Sequence, residues 1–486
     1  MYMHSTKFIK NVGLVGIASI FFTLPGFLLV PILTKLLGAY QYGIWIQIFA
    51  AVTILASVAT LGFDRATLRY LSSLKSKKVI STKFYTALFI VMFTATIFTV
   101  ILFISANVLA EFVIKDITVA NYIKLAAPLI VIFAVNLLVK SFLEAFQEFK
   151  NYAYLAIFLG IGEVVAVLTT LFLGYALWGV IASIIVVHFL YVVAAFLIIR
   201  YQLSFSLPNY ASIHKYIKFS LPLIPLPIFM WIVHSSDIYI IGFFQGATSV
   251  GIYSSVYSLS KIMFFLMAPL STVLLPVVYK AFDKKNLTET RDYLAYSLKY
   301  FLLLAIPAGF GLFALSKPIL LLLTTPEFVI GANLFLPLAF GLVMYKLSAF
   351  FTLVLNMYER TKFVGQVFGI STVFNVVMNF IAIPRWGLNG AALSTFLTYL
   401  LLLVSMFYYS RRFFKFKLHF GFFIKSIFAS FSMIFILGFW KITNIYELVL
   451  TGIIGCGIYF VIIVALKGVT KQEINMFRNL IKYRNN

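Results

Sequence analysis

The apolar positions of this chain gather into long blocks separated by short polar connections. A membrane-spanning helix needs about 20 mostly apolar residues. About fourteen blocks reach or approach that length, at 11–35, 44–63, 84–109, 118–142, 152–173, 178–199, 217–243, 249–278, 298–322, 331–357, 363–383, 388–410, 421–440 and 445–466. Within them the apolar runs are continuous, as in Phe89–Val108 and Val180–Ile199. Lipid admits only helices or closed barrels, because every backbone polar group must be satisfied internally. A barrel would show short strands of alternating polarity, and these runs do not alternate. No connection is large enough to fold as a soluble domain. The pattern predicts an all-α integral membrane protein of about 14 transmembrane helices.

The blocks repeat. Phe8-Ile9-Lys10 matches Tyr216-Ile217-Lys218. Gly38-Ala39 followed by Gly43-Ile44-Trp45 matches Gly246-Ala247 followed by Gly251-Ile252-Tyr253, and both matches are 208 residues apart. Further on, Glu148 matches Glu359, and Gly179 with Ser183 matches Gly390 with Ser394, each 211 apart. A net three-residue insertion in the second copy accounts for the drift. Six spans per copy is an even number, so both copies enter the membrane in the same sense. The expected organisation is an N-terminal six-helix bundle at 1–210, a repeat bundle at 211–415, and an appended helix pair with a basic tail at 416–486. Transporters built from parallel repeats bind substrate between the halves, so a central cavity is expected. In the repeated turn, glycine supplies either a positive φ or a close approach.

Charge fixes an orientation. The net charge is +24, with 38 Lys and Arg against 14 Asp and Glu. About 30 of the cations fall on the side that holds both termini, and about six on the other (Lys35, Lys115, Lys124, Lys317, Arg385 and Lys441). Loop cations mark the cytoplasmic face, so both termini are expected there, with the chain in the cytoplasmic membrane. Runs such as Lys75-Ser76-Lys77-Lys78 are topology anchors that also meet anionic headgroups, and nucleic-acid binding is not expected. The N-terminus, with Lys7 and Lys10 before an apolar run, reads as a retained first helix. One cysteine, Cys456, permits no disulfide framework or zinc spacing and reads as a small buried apolar residue.

Prolines mark expected bends: Pro25 and Pro31 in the first span, Pro222, Pro225 and Pro227 opening the seventh, and Pro269 and Pro276 in the eighth. Each removes a backbone donor and clashes with the preceding turn. These spans are candidates for moving, gate-forming elements; static kinks in packed helices are the alternative.

Ionisable groups at bilayer depth are costly and normally face a cavity or a partner. Lys261 and Lys346 fall within spans 8 and 10, and Arg65 and Arg69 at the end of span 2 beside Asp64. Together they would make a cationic cavity for an anion such as a diphosphate, to which ammonium and guanidinium groups donate charge-assisted hydrogen bonds. Two other roles stand beside that one: a Lys261–Asp237 ion pair joining spans 7 and 8, and inside-positive anchoring for the arginines. Asp237 and His234, three apart on one helix face, with Glu163 and His188, are candidates for a coupling cation, H+ or Na+, or for a proton relay. Satisfied interhelical hydrogen bonding is the alternative. Asn375 and Asn379 read as polar contacts between helices. No cofactor is expected: there is no Gly-x4-Gly-Lys-Ser/Thr loop for ATP, and no metal-ligand or nucleophile constellation.

The chain resembles the polysaccharide, O-antigen type, flippases of the multidrug/oligosaccharidyl-lipid/polysaccharide exporter superfamily. The resemblance rests on the six, six and two span plan and on one segment. It reads Asp237-Ile238-Tyr239-Ile240-Ile241-Gly242, then Gly251-Ile252-Tyr253-Ser254, then Lys261, and ends Pro276-Val277-Val278-Tyr279-Lys280. The family often shows Asp-Arg at the first position; Ile238 replaces the Arg here. The resemblance implies a flippase that moves an undecaprenyl-diphosphate-linked oligosaccharide repeat unit to the outer leaflet by alternating access. It also implies polysaccharide polymerase and chain-length regulator partners, while a monomer can hold the whole cavity. A cation-coupled multidrug exporter and a peptidoglycan lipid-precursor flippase are close alternatives; the first typically carries a carboxylate in its first helix, where this chain has none. A membrane glycosyltransferase or polymerase is the reading from another class, disfavoured by the short outer connections.

Overall fold

The computed structural model describes the backbone of residues 2–210 and 213–469. The side chains of 1–13, 15, 17, 211–213, 215, 265–273, 276 and 470–486 lie outside that description. The expectations for Lys7, Lys10, Pro269, Pro276 and the basic tail fall on those residues.

The described chain is helical throughout and has no strand. Its α-helices are α1 (Tyr2–Ala59), α2 (Phe63–Leu71), α3 (Lys77–Leu109), α4 (Ala120–Ala126), α5 (Leu129–Ala145), α6 (Phe149–Phe172), α7 (Ala176–Ile199), α8 (Ile213–Ser220), α9 (Pro225–Ser260), α10 (Ile262–Asp283), α11 (Leu287–Ala314), α12 (Ser316–Leu323), α13 (Phe335–Met357), α14 (Thr361–Arg411), α15 (Phe420–Leu437) and α16 (Ile445–Ala465). Among the described residues eleven stretches are long and apolar enough to cross a membrane. Three of them, the 42, 49 and 51 residues around α1, α9 and α14, are long enough for two crossings, and each is broken by a glycine outside helical geometry. Counting those three twice gives the fourteen spans read from hydropathy.

The breaks are where the sequence repeat placed them. Gly38 has φ 73° and ψ 176°, and its repeat mate Gly246 has φ 82° and ψ 173°. That region is essentially closed to residues with a Cβ. Gly387 makes the third corner at φ 59°, ψ −137°. The second glycine of each motif does the other job. A Cβ on Gly43 would lie 1.9 Å from the Ala247 carbonyl oxygen, and one on Gly251 would lie 2.1 Å from that of Ala39. The two corners therefore pack backbone to backbone, each against the other. The prolines divide into two groups. Pro25 and Pro31 sit inside uninterrupted helix in α1; lipid-buried helices tolerate proline where neighbours satisfy the freed carbonyls. Pro222 lies in a short 3-10 turn, Leu221–Leu223, that separates α8 from α9, and Pro225 opens α9.

The chain forms two compact units. The first comprises Met1–Ser258 with Phe368–Ser394, and the second Leu259–Val367 with Thr395–Asn486. In the first, α1 packs along α6 and α5, α6 along α7, and α5 is wrapped by α2, α3 and α7. In the second, α11 is central, against α10, α13 and α15, and α16 lies on α15. Cys456 is exposed on α16 and not buried as expected, because α16 has few helices over it and presents most of its apolar surface outward.

Candidate functional site

Three groups of polar residues stand inside the spanning helices. The first is on α9. Asp237, 2% exposed, accepts a hydrogen bond from the Tyr253 hydroxyl at 2.5 Å and from the Ile238 amide at 2.9 Å. Four residues along from Tyr253, Tyr257 stacks on it, with ring planes 9° apart, and its hydroxyl lies 3.2 Å from Nδ1 of His234. The corner at Gly246 folds the second arm of α9 back beside the first, so one helical face carries His234 and Asp237 and the facing one answers with Tyr257 and Tyr253. Next to them the Ser236 hydroxyl donates to Oδ1 of Asn375 at 2.7 Å, and Asn379 donates to the same oxygen at 3.2 Å. Asn375 joins α14 to α9, as read, while this Asn379 bond stays within α14.

The second group links α5, α6 and α7. His188 Nε2 lies 2.5 Å from Oε1 of Glu163. On its other side Asn136 Nδ2 donates to Nδ1 at 2.9 Å. Phe133 covers the imidazole at 4.6 Å. The side chains of His188 and Glu163 are 12% and 14% exposed.

The third group belongs to the second unit. Lys261 occupies the break between α9 and α10, where its carbonyl accepts from the Phe264 amide at 2.8 Å, and its side chain is exposed. The Lys346 ammonium, from α13, lies 3.8 Å above the Phe264 ring, a cation–π contact that lowers the cost of a cation away from bulk water. Tyr345 and Tyr399 continue the aromatic wall. The structure thus brings the Lys346 ammonium, from the middle of α13, against the first turn of α10, which follows Lys261. Arg65 and Arg69 are on the exposed face of α2, in the first unit. Arg65 pairs with Asp64 at 3.4 Å, and the Arg69 guanidinium lies over Phe219 at 4.8 Å.

Some residues were not picked out from sequence. Asn136 is one; its signal was a polar side chain in an apolar run, in register with Lys140 and Glu144 at steps of four. Lys299, counted among loop cations, is 5% exposed and lies over the Phe422 ring at 5.4 Å. Among the described residues no cluster of His, Cys, Asp or Glu could hold a metal ion.

The sequence profile of a family described as "Polysaccharide biosynthesis protein" matches residues 8–282, more than half of the chain. The chain belongs to the polysaccharide biosynthesis protein family. With it the chain joins the multidrug/oligosaccharidyl-lipid/polysaccharide exporter superfamily, as the α9 segment suggested, and the MatE profile matches residues 222–381. Among individual relatives of this family member, the probable low-salt glycan biosynthesis flippase Agl15 of Haloferax volcanii is 25% identical over 195 residues, which is 40% of each chain. The match thus spans about two fifths of that relative's length. The lipid II flippase MurJ, in an inward closed conformation, superposes with a TM-score of 0.75 at 17% identity, over 96% of this chain and 99% of its own. An inward-facing multidrug resistance MATE transporter gives 0.65 at 14% identity, over 81% and 94%. At those identities the likeness establishes the fold of this polysaccharide biosynthesis protein, which is the two-lobed exporter fold.

Proposed function

We propose that the protein is a flippase for a lipid-linked glycan. It would carry an undecaprenyl-diphosphate-linked oligosaccharide repeat unit from the inner to the outer leaflet for surface polysaccharide synthesis, O-antigen or capsule. The site would be exposed alternately to the two leaflets, with 1–210 and 211–415 as the repeated bundles and 416–486 as an appendage. The protein acts as a transporter and not as an enzyme, in the cytoplasmic membrane with both termini inside, as a monomer handing its product to polymerase and chain-length partners. Family membership and the flippase named among its relatives support the glycan class. A coupling cation, H+ or Na+, supplies the energy.

The observation that carries the headgroup assignment is Lys346 above Phe264, with Lys261 opening the helix beside it. An ammonium held at an apolar helix pair is costly unless it serves an anion, and a diphosphate offers charge-assisted acceptors. The cation–π contact parks the ammonium until the anion arrives. Arg65 and Arg69, exposed on α2, suit initial capture of the headgroup. The test is a strain whose only copy carries Lys261→Ala or Lys346→Ala. Surface polysaccharide should be lost while the protein still inserts in normal amount. Normal polysaccharide in both strains would reject the assignment.

A further inference from the structure

The connection between α7 and α8 is fastened along one side and bare along the other. After a 3-10 turn, Arg200–Gln202, the chain leaves helical geometry, with Leu203 extended at φ −105° and ψ 147°. Leu203 is buried, Ser204 and Ser206 are half-buried, and Phe205 and Leu207 are 92% and 73% exposed. Phe205 is the most exposed large apolar residue among the described ones. An extended chain sends alternate side chains to opposite sides, and α3 decides which side is which. The Ser204 amide donates to the Ser81 hydroxyl at 2.8 Å, and the Ser206 and Thr82 hydroxyls lie 2.5 Å apart. Further on, the Asn209 amide donates to the Thr86 hydroxyl at 2.9 Å. Holding 204 and 206 on the helix leaves 205 and 207 to point away from it. Gln202 secures the near end by donating to Glu148 at 2.7 Å, and Glu148 also accepts from Asn151.

The partners on α3 set the depth of this strap. Ser81 and Thr82 come just before, and Thr86 just after, residue 84, where the apolar block of α3 begins. The Tyr210 ring meets Phe89 edge-on at 6.3 Å. Phe89 opens the continuous apolar run Phe89–Val108, and a run of about 20 residues matches the hydrocarbon thickness. The strap therefore runs at headgroup level and ends at the edge of the hydrocarbon. Apolar side chains held out in water are costly, whereas at this level Phe205 and Leu207 have lipid to enter. The charge around them has one sign. Residues 75–88 hold four lysines and no acid, and residues 200–210 hold one arginine and no acid. Lys75, Lys77, Lys78 and Arg200 are exposed, and Lys83 is half-buried. The Arg200 guanidinium lies over the Tyr201 ring at 4.8 Å. Exposed aromatic and aliphatic groups flanked by cations form the surface that an anionic bilayer interface accepts. A soluble acidic partner would answer the charge, but it would not meet the apolar residues at the depth of the headgroups.

We propose that residues 200–210 are an interfacial strap: Phe205 and Leu207 enter the adjoining leaflet, and Arg200 with the lysines of 75–83 binds anionic lipid headgroups. The strap carries the connection between the two sequence repeats, so this contact holds the entry to the second repeat at a fixed depth. The proposal concerns lipid alone and does not depend on what the protein transports.

The test uses the full chain in nanodiscs of phosphatidylcholine, alone or mixed with phosphatidylglycerol. In a Cys456→Ser background, Phe205→Cys carries a spin label, and Ser73→Cys, in the turn between α2 and α3, carries the same label as a reference for water. Collision with oxygen, which concentrates in hydrocarbon, is compared with collision with a water-soluble nickel chelate. The oxygen-to-nickel ratio at 205 should exceed that at 73 several-fold, and it should rise further with phosphatidylglycerol. Adding Thr82→Val and Thr86→Val, which remove the hydroxyls at nearly constant volume, should make the label at 205 more mobile and lower its ratio. A label at 205 as open to nickel as that at 73 in both lipids overturns the proposal and leaves the surface to a soluble partner. Equal ratios in the two lipids overturn the anionic-headgroup contact, and a label indifferent to the valine changes overturns the strap.

Discussion

The hydroxyl of Tyr253 is the donor that Asp237 Oδ2 meets at 2.5 Å, in a position where both side chains are buried. A buried acceptor deprived of its donor costs about 1–3 kcal/mol, and more when it is charged. Tyr253→Phe should therefore lower stability by at least that much. Since the lost contact is shared, Tyr253→Phe and Asp237→Asn should be non-additive, which a double-mutant cycle in thermal unfolding would read. A simple sum of the two single effects would deny the coupling. Outside the spans, Asp116 accepts from the Thr118 hydroxyl and amide and from Tyr40. These bonds, the Thr118 hydroxyl first, hold its carboxyl below the ordinary carboxylate range. A lowered folded-state value means stability present above the unfolded value and lost as pH falls through the folded one. The stability difference between wild type and Asp116→Asn, modest because Asp116 is only half-buried, should be constant near neutrality and shrink below about pH 4. A difference that instead grew on acidification would contradict the sign. At this scale the sequence was half informative. Helical spacing put His234 and Asp237 on one face, but their tyrosine partners become neighbours only when the chain turns at Gly246. Hydropathy runs on across the one-residue break that Lys261 occupies, so the division between α9 and α10 was not legible.

Helices and corners were the legible level. Apolar run length fixes a spanning helix without tertiary information, and the Gly-x4-Gly motif declared two corners before any coordinate. What could not be read was the division of labour between its glycines. Gly38 and Gly246 turn the chain; Gly43 and Gly251 let the turned segments touch. Among the prolines, Pro222 and Pro225 mark the break before α9, while Pro25 and Pro31 are carried within α1. The contact predicts an asymmetry among glycine-to-alanine changes. Gly43→Ala or Gly251→Ala places a methyl inside backbone atoms and should cost about 1–3 kcal/mol as overpacking. Gly457→Ala on α16, with open space at the Cβ, should be neutral or gain up to about 1 kcal/mol in helix propensity. Thermal unfolding in one detergent checks all three. Equal effects would mean that the corners do not pack as described. Cys456, exposed on the same helix, should react with an apolar maleimide in the folded protein; protection until denaturation would return it to the core.

Across the whole molecule, the net charge of +24 invites a polyanion-binding interpretation. Its distribution into connections, with few cations inside spans, points instead to a membrane protein. On the flippase reading proposed above, the anion it handles is the headgroup of a lipid-linked glycan. The sugars themselves were never legible, since no stretch of sequence encodes their recognition in a local motif. The account stands most directly on one assay: outer-leaflet appearance of a labelled undecaprenyl-diphosphate oligosaccharide in vesicles that contain only this protein. Translocation should exceed that of protein-free vesicles and should collapse in Lys346→Ala. Vesicles with correctly inserted wild type that move no more glycan lipid than empty ones would contradict the account.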